Sequence, residues 1–431
     1  DVTANSGGGN AIYARGDLEV DSGTLNATTT AWYPAIYTDG EILIQNHAEV
    51  TAEGGNDTIW GVSGVTISDS TVNATTLISN TAIFSDANVI IEDQSDITAI
   101  GIGGGIYGGN GVAISDSVVE VTNEGQTGPA IFSDDNGFED LTIENSIIKV
   151  TAPGDFTING NNKLYIRNSW VESFGGEVDH MDIWTTWENM VSFQDNKGTV
   201  IGNPSLLNDV EMTANMTLTV PADTSLTVPA SKTLTNSGAI ENIGGIKNDG
   251  TISNGGTITN KVTNMNLPDS LTLKTGNTQS FTDYVTYGAI TGNAVTGTAP
   301  VNDCTWSSDK PEITSVENGV VTAKAAGTAV ITASADNMQD TCTITVQKKS
   351  SGGSSSSGSS SSGSTTTETT NPDGSTTTTE TKPDGTKVET TVKDDGTKVE
   401  TTTRPDGSKT EVTTEPDWTI VNKVDTIYKE K

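Results

Sequence analysis

The chain has few cysteines, histidines and basic side chains. Its 431 residues include two cysteines, two histidines and 22 Lys and Arg, against 56 Asp and Glu, which gives a formal net charge of −34. Residues 1–264 hold 34 of the acidic and 8 of the basic side chains. Because such a body repels phosphate backbones and anionic lipid surfaces, we expect no nucleic-acid partner.

Long hydrophobic runs are also missing. No apolar stretch approaches the ~20 residues of a membrane-spanning helix, so we expect no membrane span. Since the sequence begins with Asp1 rather than Met, we expect a mature form or a fragment. A cysteine-poor chain rich in Thr, Ser, Asn and Gly is typical of an extracellular protein, secreted or attached to the surface of a bacterium. We expect it to be monomeric.

A repeat dominates the first half of the chain. Isoleucines that we call anchors recur every 23 to 27 residues, at Ile12, Ile36, Ile59, Ile83, Ile106, Ile131, Ile158 and Ile183. Six and eight residues after most anchors come two aliphatic side chains, such as Ile42 and Ile44 after Ile36. A polar turn and a third short apolar stretch follow. Each unit therefore predicts three short strands with almost no helix, and such units bury their apolar side only by stacking.

The repeat of residues 1–203 resembles the right-handed parallel β-helix of pectate-lyase-like proteins. The resemblance implies an all-β solenoid of about eight coils, at the ~4.8 Å strand spacing. It implies no single function, because this architecture hosts lyases, hydrolases, adhesins and passive stalks. Residues 204–264 continue the alternation in shorter steps, which predicts a narrower β-solenoid extension that caps the wide coils.

Residues 265–347 are predicted to form a β-sandwich. The segments Thr305-Trp306-Ser307-Ser308, Gly319–Ala323, Gly327–Ala333 and Thr343–Val346 resemble the bacterial immunoglobulin-like group 2 domain. That family is found in surface adhesins and in secreted carbohydrate-active proteins. Cys304 and Cys342 predict a disulfide, the alternative being two buried thiols in neighbouring strands.

The remaining sequence is of low complexity. Residues 348–370 form a Gly/Ser/Thr linker by composition, and residues 371–415 carry an 11-residue repeat with Asp-Gly at each turn. Asp-Gly favours β-hairpins, but the apolar content is low, so we expect an extended or mostly disordered stalk. Residues 416–431 are unassigned and look truncated.

Three groups of side chains are candidates for function. The first is the aromatic column that follows the anchors, which either faces outward as a ligand-binding ladder or packs inside the coil: Tyr13, Tyr37, Trp60, Phe84, Tyr107, Phe132 and Trp184. The second is a loop that stretches the usual offset from six to ten residues and carries possible Ca²⁺ ligands: Asp134, Asp135, Asn136, Glu139 and Asp140. The third is a polar cluster of Asp179, His180 and Asp182.

The residues leave three functions open. We favour a non-catalytic binding or adhesion protein that presents one solenoid face to glycans or a host surface. The alternative is a polysaccharide-degrading hydrolase or lyase, with Asp134 and Asp135, or Asp179, His180 and Asp182, as catalytic groups. A structural spacer within a larger surface protein is the third. No cofactor is expected, apart from a possible Ca²⁺.

Overall fold

A computed structural model describes residues 1–134, 140–154, 156–160, 163–178, 186–336, 338–349, 365–371, 375–393, 397–414 and 420–426. The strands form an all-β structure in which a solenoid of about 10 turns precedes a β-sandwich. The predicted fold class is therefore confirmed. Residues 1–349 and 350–431 are two separate compact units.

Three parallel sheets, which we call faces A, B and C, form the walls of the solenoid. Face A continues into the narrow part and comprises Val2–Ser6, Thr24–Thr29, Glu49–Gly54, Thr71–Thr76, Asp96–Gly101, Val118–Asn123, Ile147–Thr151, Trp170–Phe174, Met190–Gln194, Lys197–Ile201, Thr217–Val220, Ala239–Asn242, Thr257–Asn260 and Val301–Asn302. Face B comprises Ile12–Ala14, Ile36–Thr38, Ile59–Gly61, Thr81–Ser85, Gly104–Gly108, Ile131–Ser133, Phe156–Gly160 and Glu177–Val178. Face C comprises Leu18–Asp21, Glu41–Gln45, Gly64–Ser68, Asn88–Glu92, Gly111–Ser115, Leu141–Glu144, Leu164–Arg167 and Thr186–Glu188.

The anchors from Ile12 to Ile158 lie in the strands of face B, and Ile183 lies outside the described residues. Ile36, Ile59, Ile83, Ile106 and Ile131 stack in register on one another, and all five are fully buried. The aliphatic pairs of face C and the third apolar stretch of face A fill the rest of the same core. Because side chains alternate between the two sides of a strand, the residue after each anchor points out of the solenoid.

An antiparallel hairpin separates the wide coils from the narrow ones. Met190–Gln194 pairs with Lys197–Ile201, and Phe193 packs on Trp170 with ring centroids 5.1 Å apart. Beyond it, Val210–Met212, Thr233–Asn236, Thr251–Asn254 and Thr296–Gly297 form one wall of the narrow solenoid, and Ser225–Val228, Gly245–Asn248 and Ala289–Gly292 form another.

Asparagines at six-residue intervals hold the narrow coils together. Asn236, Asn242, Asn248 and Asn254 are buried, and the Asn236 and Asn242 amides donate to the side-chain oxygens of Asn254 and Asn260 at 2.8 and 3.0 Å. The Asn248 and Asn254 amides donate to the backbone carbonyls of Asn293 and Thr298 at 2.9 and 2.7 Å. Each buried NH2 group thus has a partner in the next coil, which offsets part of its cost of burial, whereas the side-chain oxygens of Asn242 and Asn248 accept no hydrogen bond from the described residues. Between successive asparagines, one inward-facing Leu or Ile from each short strand fills the interior of the narrow solenoid.

The β-sandwich has two sheets. Ser270–Lys274, Met338–Gln347, Gly327–Ala335 and Thr305–Ser308 form the first sheet in this spatial order, and Thr278–Ser280, Val320–Ala323 and Thr314–Glu317 form the second. A short hairpin of Val262–Met265 with Val285–Tyr287 and the 3₁₀ turn Thr282–Tyr284 complete the region. Phe281 and Val321 are fully buried between the sheets.

The sandwich is interleaved with the solenoid. After the first two strands of the sandwich, the chain returns to the solenoid and forms its last coil. In this coil, Ala289–Gly292 pairs in parallel with Gly245–Asn248, and Val301–Asn302 pairs with Thr259 and Asn260. Residues 289–302, within the range 265–347 assigned to the sandwich by sequence, therefore pair with the solenoid.

The predicted disulfide is wrong, because Cys304 and Cys342 are both free. Cys342 pairs with Ile331, whereas Thr305, the residue after Cys304, pairs with Ser334 on the other side of the same strand. One whole strand separates the two cysteines, or roughly 9.6 Å at the usual strand spacing. A disulfide requires Cα atoms about 4.4–6.8 Å apart. The two thiols are not in neighbouring strands either.

The second unit is a single antiparallel sheet rather than the extended or disordered stalk that we expected. Its strands pair in sequence order and are Thr365–Thr370, Thr376–Thr381, Lys387–Val392, Lys398–Thr403, Lys409–Thr414 and Ile420–Thr426. At the described Asp-Gly turns, Gly385 and Gly407 have φ of 81°, and the Asp384 and Asp406 carboxylates accept from the backbone two residues on, at 2.9 Å. These turns fix the register of β-branched strands that repeat every 11 residues.

Candidate functional site

The aromatic column lies on the outer surface of face B. Its members pair in register from coil to coil and are Tyr13, Tyr37, Trp60, Phe84, Tyr107 and Phe132. Tyr13 is 53% exposed and the other five are half-buried, while the anchors beside them are inside. Of the two orientations that the sequence left open, the structure has the outward one. Trp184 lies outside the described residues.

The rings contact one another along the column, but not in one uniform stack. Tyr13 and Tyr37 are parallel with centroids 5.7 Å apart, and Phe84 and Tyr107 are parallel at 4.8 Å. Trp60 stands at 83° to both Tyr37 and Phe84. Phe132, the sixth ring, is tilted by 39° on Tyr107 at 5.4 Å. The column thus consists of two stacked pairs, a perpendicular indole between them and a tilted ring at one end, and neither neighbour of Trp60 stacks face to face on it.

Three carboxylates accept hydrogen bonds from the polar edges of these rings. Asp39 accepts from the hydroxyl groups of Tyr13 and Tyr37, at 3.1 and 2.9 Å. Asp86 accepts from the indole N–H of Trp60 at 3.2 Å, and Asp134 accepts from the hydroxyl of Tyr107 at 3.0 Å. We call the six rings and these three carboxylates the aromatic–carboxylate ladder.

The carboxylates alter the acidity of the tyrosines. The hydrogen bond to Asp39 raises the pKa of Tyr37 above its ordinary value. Burial, together with the hydrogen bond to Asp134, raises the pKa of Tyr107 to about 12. In both cases the phenolate would stand beside a negative carboxylate, so the neutral hydroxyl is favoured as the donor.

Asp39 and Asp86 were not among the candidates from the sequence. Each lies three residues after an anchor, as Asp134 does, in the related stretches Ile36-Tyr37-Thr38-Asp39, Ile83-Phe84-Ser85-Asp86 and Ile131-Phe132-Ser133-Asp134. The signal was therefore a motif shared by the second, fourth and sixth coils. When all coils are aligned on one common pattern, a motif that only alternate coils carry does not stand out.

The long loop of the sixth coil is described only at its ends. Leu141 pairs with Val112, so face C resumes in register after the offset of ten residues from the anchor. Asp140 faces Lys163, with 3.7 Å between carboxylate and ammonium. Asp135, Asn136 and Glu139 lie outside the described residues. Within the described ranges, no three His, Cys, Asp or Glu side chains come together as a metal-binding group.

The third candidate cluster, Asp179, His180 and Asp182, lies outside the described residues as well. Its neighbour Trp187 is described and packs against the core of the wide coils. The other histidine, His47, is exposed and lies 3.1 Å from the Asp69 carboxylate.

Comparison with known proteins identifies one segment. A family model described as Big-like, a bacterial Ig-like domain, matches residues 302–348, and that description is broader than group 2. No curated protein matches the chain. Domains 5–6 of the S-layer protein SbsC are a solved structure with 14% identity over 37% of this chain and 92% of that chain, at a TM-score of 0.15. In the described part of the chain, no helix is long and apolar enough to cross a membrane. The protein thus combines a β-solenoid with a segment similar to bacterial Ig-like domains.

Proposed function

We propose that this chain belongs to a secreted or cell-surface bacterial protein and that its aromatic–carboxylate ladder binds a glycan. The observation that carries the proposal is the outward, in-register column of rings over six successive coils. Solvent-facing aromatic side chains with fixed polar partners combine apolar contact area with directional hydrogen bonding, as sugar-ring recognition requires.

Trp60 is the ring best placed to contact a sugar. The faces of Tyr37 and Phe84 that stack on Tyr13 and Tyr107 are already covered by another ring. The indole is turned across the column and is held by Asp86, so a ligand that lies along face B meets a fixed aromatic group at the centre of the ladder. A preformed ring costs little conformational entropy on binding.

The carboxylates suit the same task. Each carboxylate oxygen has two lone pairs, and the described hydrogen bonds occupy only part of the capacity of Asp39 and Asp86. Both side chains are exposed. Sugar hydroxyl groups that reach the edge of the column therefore find oriented acceptors within contact of the rings.

The rest of the chain fits a surface role. The solenoid is rod-like by construction, since each coil adds about 4.8 Å. The segment similar to bacterial Ig-like domains and the large excess of acidic over basic side chains both favour an extracellular setting.

Affinity electrophoresis tests the proposal. The whole chain is run through native gels that each contain one neutral, amino or acidic polysaccharide. We expect slower migration in at least one polymer, and we expect Trp60→Ala to weaken the interaction about tenfold, because a ring contact contributes about 0.5–1.5 kcal/mol beyond its buried area. Tyr165→Ala is the matched control, since Tyr165 is an outward ring of face C.

Two results would contradict glycan binding by the ladder. Unchanged migration in every polymer removes glycan binding altogether. Equal weakening by Trp60→Ala and Tyr165→Ala places the site elsewhere. A cleared zone in the stained gel would instead favour the polysaccharide-degrading alternative.

A further inference from the structure

We infer that the ladder selects a glycan with free amino groups, an amino-sugar polymer that carries ammonium charges along its length. This inference rests on the proposed function and adds the class of ligand to it.

The carboxylates follow a period of two coils. The third residue after the anchor is Asp39, Asp86 and Asp134 in alternate coils, and Val62 and Gly109 in the coils between them. Since successive coils are about 4.8 Å apart, the carboxylates are spaced at roughly 9.6 Å along face B. This regular spacing suits a ligand that runs along the solenoid axis and repeats its charge, rather than a compact ligand bound at one point.

The hydrogen bonds that Asp39 and Asp86 accept leave the negative charge of these two carboxylates in place. Asp39 and Asp86 accept from neutral hydroxyl and indole N–H groups. In the described ranges, neither of these two carboxylates forms an ion pair with a Lys, Arg or His. Each is exposed and ready to meet a cation from solution.

The rings next to these carboxylates add to the attraction. An ammonium group within about 6 Å of the centre of a Trp or Tyr ring gains about 0.5–1 kcal/mol at an exposed site. Trp60 and Tyr37 each hold a carboxylate at their polar edge, so one ammonium can contact the ring and the carboxylate together. A neutral sugar gains only the hydrogen bonds and the apolar contact.

The acidic surface of the solenoid disfavours anionic ligands. With 34 acidic and 8 basic side chains in residues 1–264, a uronic-acid or sulfated polymer is repelled over the whole rod. Amino-sugar polymers are attracted both by the rod and by the ladder. The test must therefore separate specific binding at the ladder from general attraction to an acidic protein.

Calorimetric titration of the full chain with two oligosaccharides makes this separation. The ligands are glucosamine and N-acetylglucosamine oligomers of the same linkage and length, at a pH where the free amines are protonated; they differ in whether the nitrogen of each sugar is a charged ammonium group or an uncharged acetamide. The ladder variant is Asp39→Asn with Asp86→Asn, and Asn keeps an acceptor oxygen for the ring donors. The control is Glu49→Gln with Asp96→Asn, which removes the same charge from exposed positions on face A.

We expect the glucosamine oligomer to bind at least about fivefold more tightly than its acetylated partner, and the ladder variant to lose that preference while the control keeps it. Circular dichroism of both variants checks that they fold. Equal affinity for the two oligomers, or equal losses in the ladder and control variants, would overturn the amino-sugar inference and leave glycan binding standing. Binding of neither oligomer, with the gels also negative, would overturn the proposed function itself.

Discussion

Removing an anchor from the middle of the solenoid should cost far more stability than removing one from its first coil. Ile106 is fully buried and stacks in register between Ile83 and Ile131. Ile106→Ala deletes three carbons, or about 2.4 kcal/mol at ~0.8 kcal/mol each, and the cavity that remains raises the cost toward about 5 kcal/mol. Ile12 is only partly buried and has one partner, Ile36, so we expect Ile12→Ala to cost about half as much or less.

Native-state hydrogen exchange read by mass spectrometry gives the local free energies that this comparison needs. The peptides that cover the strands of face B should lose protection around Ile106→Ala in both neighbouring coils, because each coil contacts chiefly the ones next to it. In the Ile12→Ala variant, the same peptides should lose protection only in the first coils. Equal losses for the two variants, or a loss below about 1 kcal/mol at Ile106, would refute the stacked-core account.

Two further predictions concern titratable side chains. Because the pKa of Tyr107 is raised to about 12, the stability that its neutral form contributes is fully present below pH ~10, the pKa in the unfolded chain, and is lost between there and about pH 12. In a spectrophotometric titration, Tyr107→Phe should remove the phenolate signal that appears near pH 12, and the variant should lose less stability as the pH rises over this range. An unchanged titration would contradict the prediction. Cys304 and Cys342 are free, and burial raises the pKa of Cys342 to about 11, so a thiol reagent at neutral pH should label the native protein slowly and both cysteines rapidly after denaturation. An unlabelled, denatured, non-reduced protein would instead mean a disulfide.

The solenoid was predictable because one rule repeats. An inward Ile followed by an outward ring, such as Ile36 and Tyr37, fixes which side of each strand faces the core, and six successive coils repeat this pattern. The carboxylates of the ladder follow a rule with twice that period. Asp39 therefore looked like one more polar turn residue until the structure placed it against two tyrosine hydroxyl groups.

Pairings between distant segments could not be predicted in this way. A disulfide between Cys304 and Cys342 needs the two residues to lie close together, and the alternative placed them in neighbouring strands, but the sheet order inserts Gly327–Ala335 between the strand of Cys342 and the strand that follows Cys304. Sequence separation carries no information on spatial strand order. For the low-complexity tail, we weighed its low apolar content above the register that its Asp-Gly turns impose, and the sheet shows that the turns prevail.

The interleaved junction bears on how the protein holds its ligand-binding face. The Lys261 ammonium lies 2.8 Å from the Asp336 carboxylate and 3.0 Å from that of Asp303, and these two carboxylates raise the pKa of Lys261 well above its usual range. Lys261 follows a solenoid strand, whereas Asp336 follows a strand of the sandwich, and the backbone N–H of Val262 donates to Asp303 at 2.8 Å. Because the chain also crosses between the two structures to lay the last coil, separating them would require breaking strand pairs and not only a surface contact. The sandwich is therefore joined to the solenoid by strand pairs and ion pairs rather than by a linker, and these contacts restrain the orientation of face B relative to the sandwich.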